Sequence, residues 1–310
     1  MCRRLLLIAL LCFACGKKGM PQPRDRFAPA LDDLQAVDQH HIRLAFSEEI
    51  DTLVLASSDF KITDARLETL GILAVHPYFN NSELVLTTAT QDSVFYSLFG
   101  MVKDVSGNAC EIEETFRGSR IRDSLSPYLL DYPGNLKSRR LFLKFSETMD
   151  TASIRYALIP KGRREFRAVW DKGLQRVDFV PVSESDSFPR DTVFYCFLYE
   201  ARDLAGNEAR RFAFHFTQDT VLPSRTIEGK VLRADSLVTG ALVIVRKNGQ
   251  ILALALSEAG RFRIPVRENT VYELAAYYDE FKAEAAGMTD SSMVLHLVKT
   301  EPPGYENLFK

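Results

Sequence analysis

Cysteine, tryptophan and long apolar runs are all scarce in this chain, and neither charge is in excess. Of five cysteines, Cys2, Cys12 and Cys15 sit at the extreme N-terminus and only Cys110 and Cys196 lie beyond it. That is too few for a disulfide scaffold. The 39 basic and 41 acidic residues leave a formal charge of −2, which gives nucleic acid no basic face. No long like-charge block marks a tail. The apolar run at residues 5–13 falls well short of the ~20 residues that span a bilayer. The five histidines (His40, His41, His76, His215, His296) are scattered. No His-Glu-x-x-His, Gly-x-Ser-x-Gly or phosphate-cradling glycine loop occurs, and no Cys/His spacing resembles a metal site. No catalytic residue, metal or cofactor is therefore assigned, and the chain reads as a non-enzyme. No amphipathic helix longer than a turn or two is legible.

At the N-terminus, Arg3 and Arg4 precede the apolar residues 5–13, which end at Ala14-Cys15-Gly16-Lys17-Lys18. A positive n-region followed by a short h-region is an export signal. A small residue before a cysteine at the end of that run resembles the lipobox of bacterial lipoproteins. The resemblance implies a signal peptide over residues 1–14, a lipid on Cys15 and an extracytoplasmic address at the cell envelope. The alternative is an ordinary secretory signal cut nearby, with Cys15 incidental. Residues 15–27 lack apolar periodicity and read as a flexible tether.

Beyond the tether one stretch is written twice. Phe46-Ser47-Glu48-Glu49-Ile50-Asp51-Thr52 returns as Phe145-Ser146-Glu147-Thr148-Met149-Asp150-Thr151. Asp92-Ser93-Val94-Phe95-Tyr96 returns as Asp191-Thr192-Val193-Phe194-Tyr195, and Lys103-Asp104-Val105-Ser106-Gly107-Asn108 as Arg202-Asp203-Leu204-Ala205-Gly206-Asn207. Each pair is displaced by 99 residues (46 to 145, 92 to 191, 103 to 202). This is the length of a whole domain, too long for a solenoid repeat. Ile42-Arg43-Leu44-Ala45-Phe46 and Leu141-Phe142-Leu143-Lys144-Phe145 alternate with period two, as strands with one buried face do. Residues 94–99 and 193–199 are apolar on both sides and read as central strands. Each repeat has room for about seven short strands, as in an immunoglobulin-like (Ig-like) sandwich. Cys110 and Cys196 occupy non-equivalent positions, so no bridge internal to a repeat is available. A buried thiol is expected, with a bridge between domains as the alternative.

The predicted units are residues 28–119 and 120–220, then a different unit over 226–298 and a tail over 299–310, either disordered or draped on the surface. The third unit alternates short apolar strands with turns at Asn248-Gly249 and Ala259-Gly260. The fold class is thus all-β, two tandem Ig-like sandwiches followed by a smaller one.

The strand ending Phe-Ser-Glu-x-x-Asp, the Val-Phe-Tyr strand and Asp-x-x-Gly-Asn before a Phe-rich strand together resemble the bacterial Ig-like domain of S-layer proteins. Gly229-x-Val231, Gly240-Ala241-x-Val243, Gly260-Arg261-Phe262 and Tyr272-x-Leu274 resemble the carboxypeptidase regulatory-like domain, a transthyretin-like accessory module. That resemblance implies no catalytic residues. Relatives of its fold class include carbohydrate-binding modules.

Asp51 and Asp150 are expected to cap the turn that follows the strand. Glu48 and Glu147 could instead hold a cation together with them. Asp104 and Asp203 are expected to organise tight turns completed by Gly107 and Gly206. Trp170, beside the Asp171-Lys172-Gly173 turn, is the candidate for stacking on a sugar, with hairpin packing as the alternative. The expected protein is a lipid-anchored envelope spacer whose three sandwiches stand in series. It would reach on the order of 100 Å from the membrane, at roughly 30–40 Å per ~100-residue domain. Expected partners are the membrane, through the lipid, and an envelope protein or polysaccharide. Carbohydrate binding by the third unit or the Trp170 loop is the alternative function.

Overall fold

The computed structural model describes residues 25–78, 80–133, 141–160, 165–183, 188–189, 192–217, 223–301 and 304–309. Cys15, the signal segment and most of the tether lie outside these residues. Among the described residues no helix is long and apolar enough to cross a membrane.

The first unit contains β1 (Leu31–Ala36), β2 (His41–Phe46), β3 (Phe60–Asp64), β4 (Thr69–Leu70), β5 (Ile72–Tyr78), β6 (Glu83–Thr88), β7 (Phe95–Lys103) and β8 (Ala109–Arg117). One sheet runs β1-β2-β6-β5 and the other β4-β3-β7-β8. The alternation in β2 turns Ile42, Leu44 and Phe46 inward, against Leu84, Leu86, Leu98 and Phe116. Each such side chain contributes about 1.5–3 kcal/mol by leaving water.

The second unit contains β9 (Leu129–Asp131), β10 (Leu141–Phe145), β11 (Arg155–Ile159), β12 (Phe166–Trp170), β13 (Arg176–Pro181), β14 (Val193–Glu200) and β15 (Phe212–Thr217). Its sheets, β12-β13-β10-β9 and β11-β14-β15, repeat the strand order of the first unit. Leu141, Leu143 and Phe145 take the inward places of Ile42, Leu44 and Phe46.

One strand breaks the equal spacing expected of the repeats. Tyr96 stacks on Phe116 at 5.5 Å and 24°. The pair with the same geometry in the second unit is Phe194 on Phe216, 5.5 Å and 24°. Phe194 therefore takes the place of Tyr96, a displacement of 98 rather than 99 (96 to 194). The register explains this. Arg155 pairs with Glu200 but Tyr156 pairs with Leu198, so Tyr199 is an extra residue bulged out of β14. A one-residue slip exchanges the faces of a strand. The slip turns Phe194, Cys196 and Leu198 inward and sends Val193, Tyr195 and Phe197 to the outer face.

That outer face receives the third unit, which contains β16 (Arg225–Arg233), β17 (Ser236–Leu237), β18 (Leu242–Lys247), β19 (Gln250–Leu256), β20 (Arg261–Val266), β21 (Val271–Tyr278), β22 (Phe281–Met288) and β23 (Ser292–Lys299). The strand order is β17-β16-β23-β22-β21-β18-β19, with β20 pairing to β16. Asn248 and Gly249, at φ 53° and 77°, close the β18–β19 hairpin, as left-handed two-residue turns do. Ala157, Ile159, Val193, Tyr195 and Phe197 of the second unit share one core with Ile227, Ile244 and Leu254 of the third. The Tyr195 hydroxyl donates to the Pro265 carbonyl.

The tail packs instead of remaining loose. A single helical turn, α1 (Tyr305–Leu308), brings Tyr305 edge-on to Phe197 at 5.3 Å, with Phe309 at 5.9 Å from the same ring. Three apolar residues spaced i, i+3 and i+4 make one sticky face, too short to stand out as a periodic pattern. In the first unit the matching sheet face stays open, with Phe95 68% and Met101 49% exposed. Both segments are central strands as expected, β7 between β3 and β8 and β14 between β11 and β15, but only β14 is covered on both faces. The register explains the difference, because Lys61 and Glu113 flank Phe99 where Ala157 and Ala213 flank Phe197. Charges there resist burial by a neighbouring sandwich.

Candidate functional site

The two Asp-x-x-Gly-Asn turns are built alike. The Asp104 carboxylate accepts from the Ser106 and Asn108 backbone N–H groups at 2.8 Å each and from the Asn108 side-chain amide at 2.7 Å. Asp203 accepts from the Asn207 backbone N–H and side-chain amide, both at 2.8 Å. Gly107 and Gly206 lie at φ 90° and 86°, the left-handed region that these turns require. Burial would raise the Asp104 pKa, but the hydrogen bonds from Asn108, Ser106 and Gly107 hold it below the usual carboxylate range.

Asp51 and Asp150 are turn caps, accepting from the N–H groups of Leu53 at 3.1 Å and Ala152 at 3.0 Å. Glu48 and Glu147 do not join them. Each meets a different pair of carboxylates, Asp25 and Asp104 in the first unit and Asp123 and Asp203 in the second. The ligand oxygens of each triad lie within 4.8 Å of one another. Sequence reasoning missed Asp25 and Asp123, although a signal was present. Asp25-Arg26-Phe27-Ala28-Pro29 and Asp123-Ser124-Leu125-Ser126-Pro127 share Asp-x-apolar-small-Pro at the entrance of each unit. Three carboxylates suit a hard cation such as Ca²⁺ by donor type, yet they are fewer than the six to eight oxygens that ion takes. The turn hydrogen bonds already account for Asp104 and Asp203, so the triads by themselves define no metal centre.

The second triad lies at the joint between the first two units. Asp123 is also grouped with Asp38 and His41 of the first unit. His41 Nδ1 lies 2.9 Å from Asp38 Oδ2. Burial works against a charged His41, but the hydrogen bond to Asp38 and the charges of Asp38, Asp123 and Glu147 outweigh it and raise its pKa. Glu147 is pushed up to about 7, by burial first and then by Asp123 and Asp203. His76 is pushed down to about 4 by burial and by His41. The segment between the units is strapped to both. Gln39 N–H donates to Ile121 O at 2.9 Å and the Asn207 amide to Asp123 O at 3.2 Å. The Thr87 and Thr148 hydroxyls meet across the joint at 3.1 Å.

Between the second and third units lies an open cleft of about 1540 Å³. One wall carries Tyr128, Tyr132, Phe212 and Arg210, and the other Lys230, Arg261 and Tyr278. Arg202 is paired with Glu200 and Glu208, Arg211 with Asp279 and Arg263 with Glu228. Among the described residues Arg210, Lys230 and Arg261 have no carboxylate partner.

The remaining sequence candidates fall elsewhere. Trp170 is half-buried and stacks on Phe145 at 6.3 Å and 26°, within the second core. Cys110 and Cys196 are free thiols. Burial pushes the Cys196 thiol up, out of reach of ionisation near neutral pH.

No family model matches the sequence, and no curated protein matches it. The N-terminal part of the bacterial S-layer protein SbsC is similar at 11% identity over 61% of this chain and 44% of that one, TM-score 0.29. The MG0-NIE-MG1 segment of Escherichia coli α2-macroglobulin is similar at 16% identity over 83% and 96%, TM-score 0.27. The FN1–FN3 domains of chicken CNTN1 are similar at 12% identity over 90% and 100%, TM-score 0.20. The chain thus spans less than half of the SbsC segment. Likeness at these scores carries no argument about function, which rests on the geometry above.

Proposed function

We propose that this chain is a non-enzymatic, lipid-anchored protein of the bacterial cell envelope, in which stiffly joined β-sandwiches hold an interaction surface away from the membrane. The signal and lipobox pattern ending at Cys15 supports the anchor. The observation that carries the spacer role is the construction of the joints. The second and third units share one hydrophobic core, and the first two are linked by direct hydrogen bonds on both sides of Asp123. The third unit, read as transthyretin-like, lies against the sheet face of the second and does not continue the line beyond it. The reach is therefore about two sandwich lengths, on the order of 60–80 Å, shorter than three in series. Small-angle scattering tests the spacer role. A single rigid particle of that length is expected, and a broad distribution of conformations would refute it. Cys15→Ser tests the anchor separately and is expected to move the protein from the membrane fraction to the soluble one.

The second reading is carbohydrate binding. It is favoured by the aromatic and charged cleft between the second and third units, while Trp170 is committed to the core.

A further inference from the structure

We propose that the cleft between the second and third units is a binding site for an acidic saccharide chain, an inference that rests on the carbohydrate reading and gives it a location and a ligand class. Arg210 on one wall and Lys230 and Arg261 on the other line the cleft without carboxylate partners among the described residues, while the neighbouring Arg202, Arg211 and Arg263 are paired; one lining carboxylate, Glu258, is likewise outside the ion pairs, which leaves the unpaired cations in excess by two (three against one). Unpaired cations facing one cavity from two domains are a receptor for negative charge.

The aromatic residues narrow the class. Tyr128 is 60% exposed at the cleft. Tyr132 and Phe212 line the same cleft, packed against the second core, and form an edge-to-face pair at 4.7 Å. Flat apolar faces with a polar tip suit ligands that are apolar on one side and hydroxylated on the other, as sugar rings are. The paired carboxylates accept from hydroxyls and the cations donate to them, so the cleft serves both roles of a sugar hydroxyl. A nucleic acid would require a much larger excess of positive charge than three unpaired cations. At about 1540 Å³ the cleft exceeds the roughly 300–1,000 Å³ typical of a single small ligand, and it suits several units of an extended chain. Because its two walls belong to units that share a core, the site is preorganised.

Calorimetric titration of the full chain in detergent tests this with three probes of similar length: oligogalacturonate, maltooligosaccharide and polyphosphate. The expected result is binding of oligogalacturonate, weaker or no binding of maltooligosaccharide, and weaker binding of polyphosphate, which has charge but no rings. Arg210→Ala and Arg261→Ala are each expected to weaken oligogalacturonate by about tenfold, as loss of a charge-assisted contact does. Tyr128→Ala should weaken oligogalacturonate but leave polyphosphate unchanged. All three side chains line an open cleft, and an unchanged melting temperature shows that each variant is folded. Equal affinity for maltooligosaccharide would overturn the acidic preference while leaving carbohydrate binding standing. Equal affinity for polyphosphate would overturn the saccharide assignment. Failure of all three probes to bind would overturn both this site and the carbohydrate reading.

Discussion

At Asp203 a carboxylate that is 3% exposed closes its turn by accepting both N–H groups of Asn207. Asp203→Ala would orphan the Asn207 backbone N–H and leave the Asn207 amide with Asp123 O alone, and is expected to lower the unfolding free energy of the second unit by about 2 kcal/mol, measured by urea denaturation. A loss below a few tenths would mean that the turn closes without it. Glu147 behaves in the opposite sense. Its pKa is raised from 4.5 to about 7, so the folded state holds its proton more tightly than the unfolded chain does. The associated stability is complete below pH 4.5 and is lost as pH rises through 7. The raised pKa of His41 adds a loss in the same direction. Glu147→Gln removes the first of these. At pH 8 it should be more stable than the parent by about 1 kcal/mol, after discounting the roughly 3 kcal/mol of the bare shift for partial exposure. The difference should vanish by pH 4, as thermal melts across that range would show. The turn residues were legible in the sequence because Asp-x-x-Gly-Asn states its own chemistry locally. The partners of Glu147 were not, because Asp123 approaches it only once the segment between the units is laid across the joint.

At the scale of elements, the bulge at Tyr199 decides which residues of β14 meet the third unit. Phe197 is thereby fully buried between the second unit, the third unit and α1. Phe197→Ala is expected to cost about 3–5 kcal/mol. It should also release residues 304–309, seen as faster backbone hydrogen exchange there. Unchanged exchange would mean that the tail is held by other contacts. The strands themselves were legible from alternation, while their order within each sheet came only with the structure. The bulge was not, because Val193-Phe194-Tyr195 reads as a copy of Val94-Phe95-Tyr96. Likeness of letters cannot show which face each letter takes, and hydrogen-bond register settles that.

At the scale of the whole molecule, the shared core makes the second and third units one cooperative body, while the first is joined to them through polar contacts. Calorimetry is expected to show two transitions, the larger belonging to residues 120–310. Three separate transitions would contradict the shared core. A chain ending at residue 224 should aggregate or unfold, since it uncovers Ile159, Tyr195 and Phe197. The sequence by itself determined the all-β class, the duplication and the chemistry of the Asp-x-x-Gly-Asn turns, because these depend on local pattern and spacing along the chain. Only the tertiary structure decided that the third unit packs beside the second, that the tail docks, that Trp170 is core, and that unpaired cations and aromatic rings from two units line one cleft. Those outcomes depend on which strand faces are left apolar after each sandwich has closed, and that is set by pairing between residues far apart in the chain.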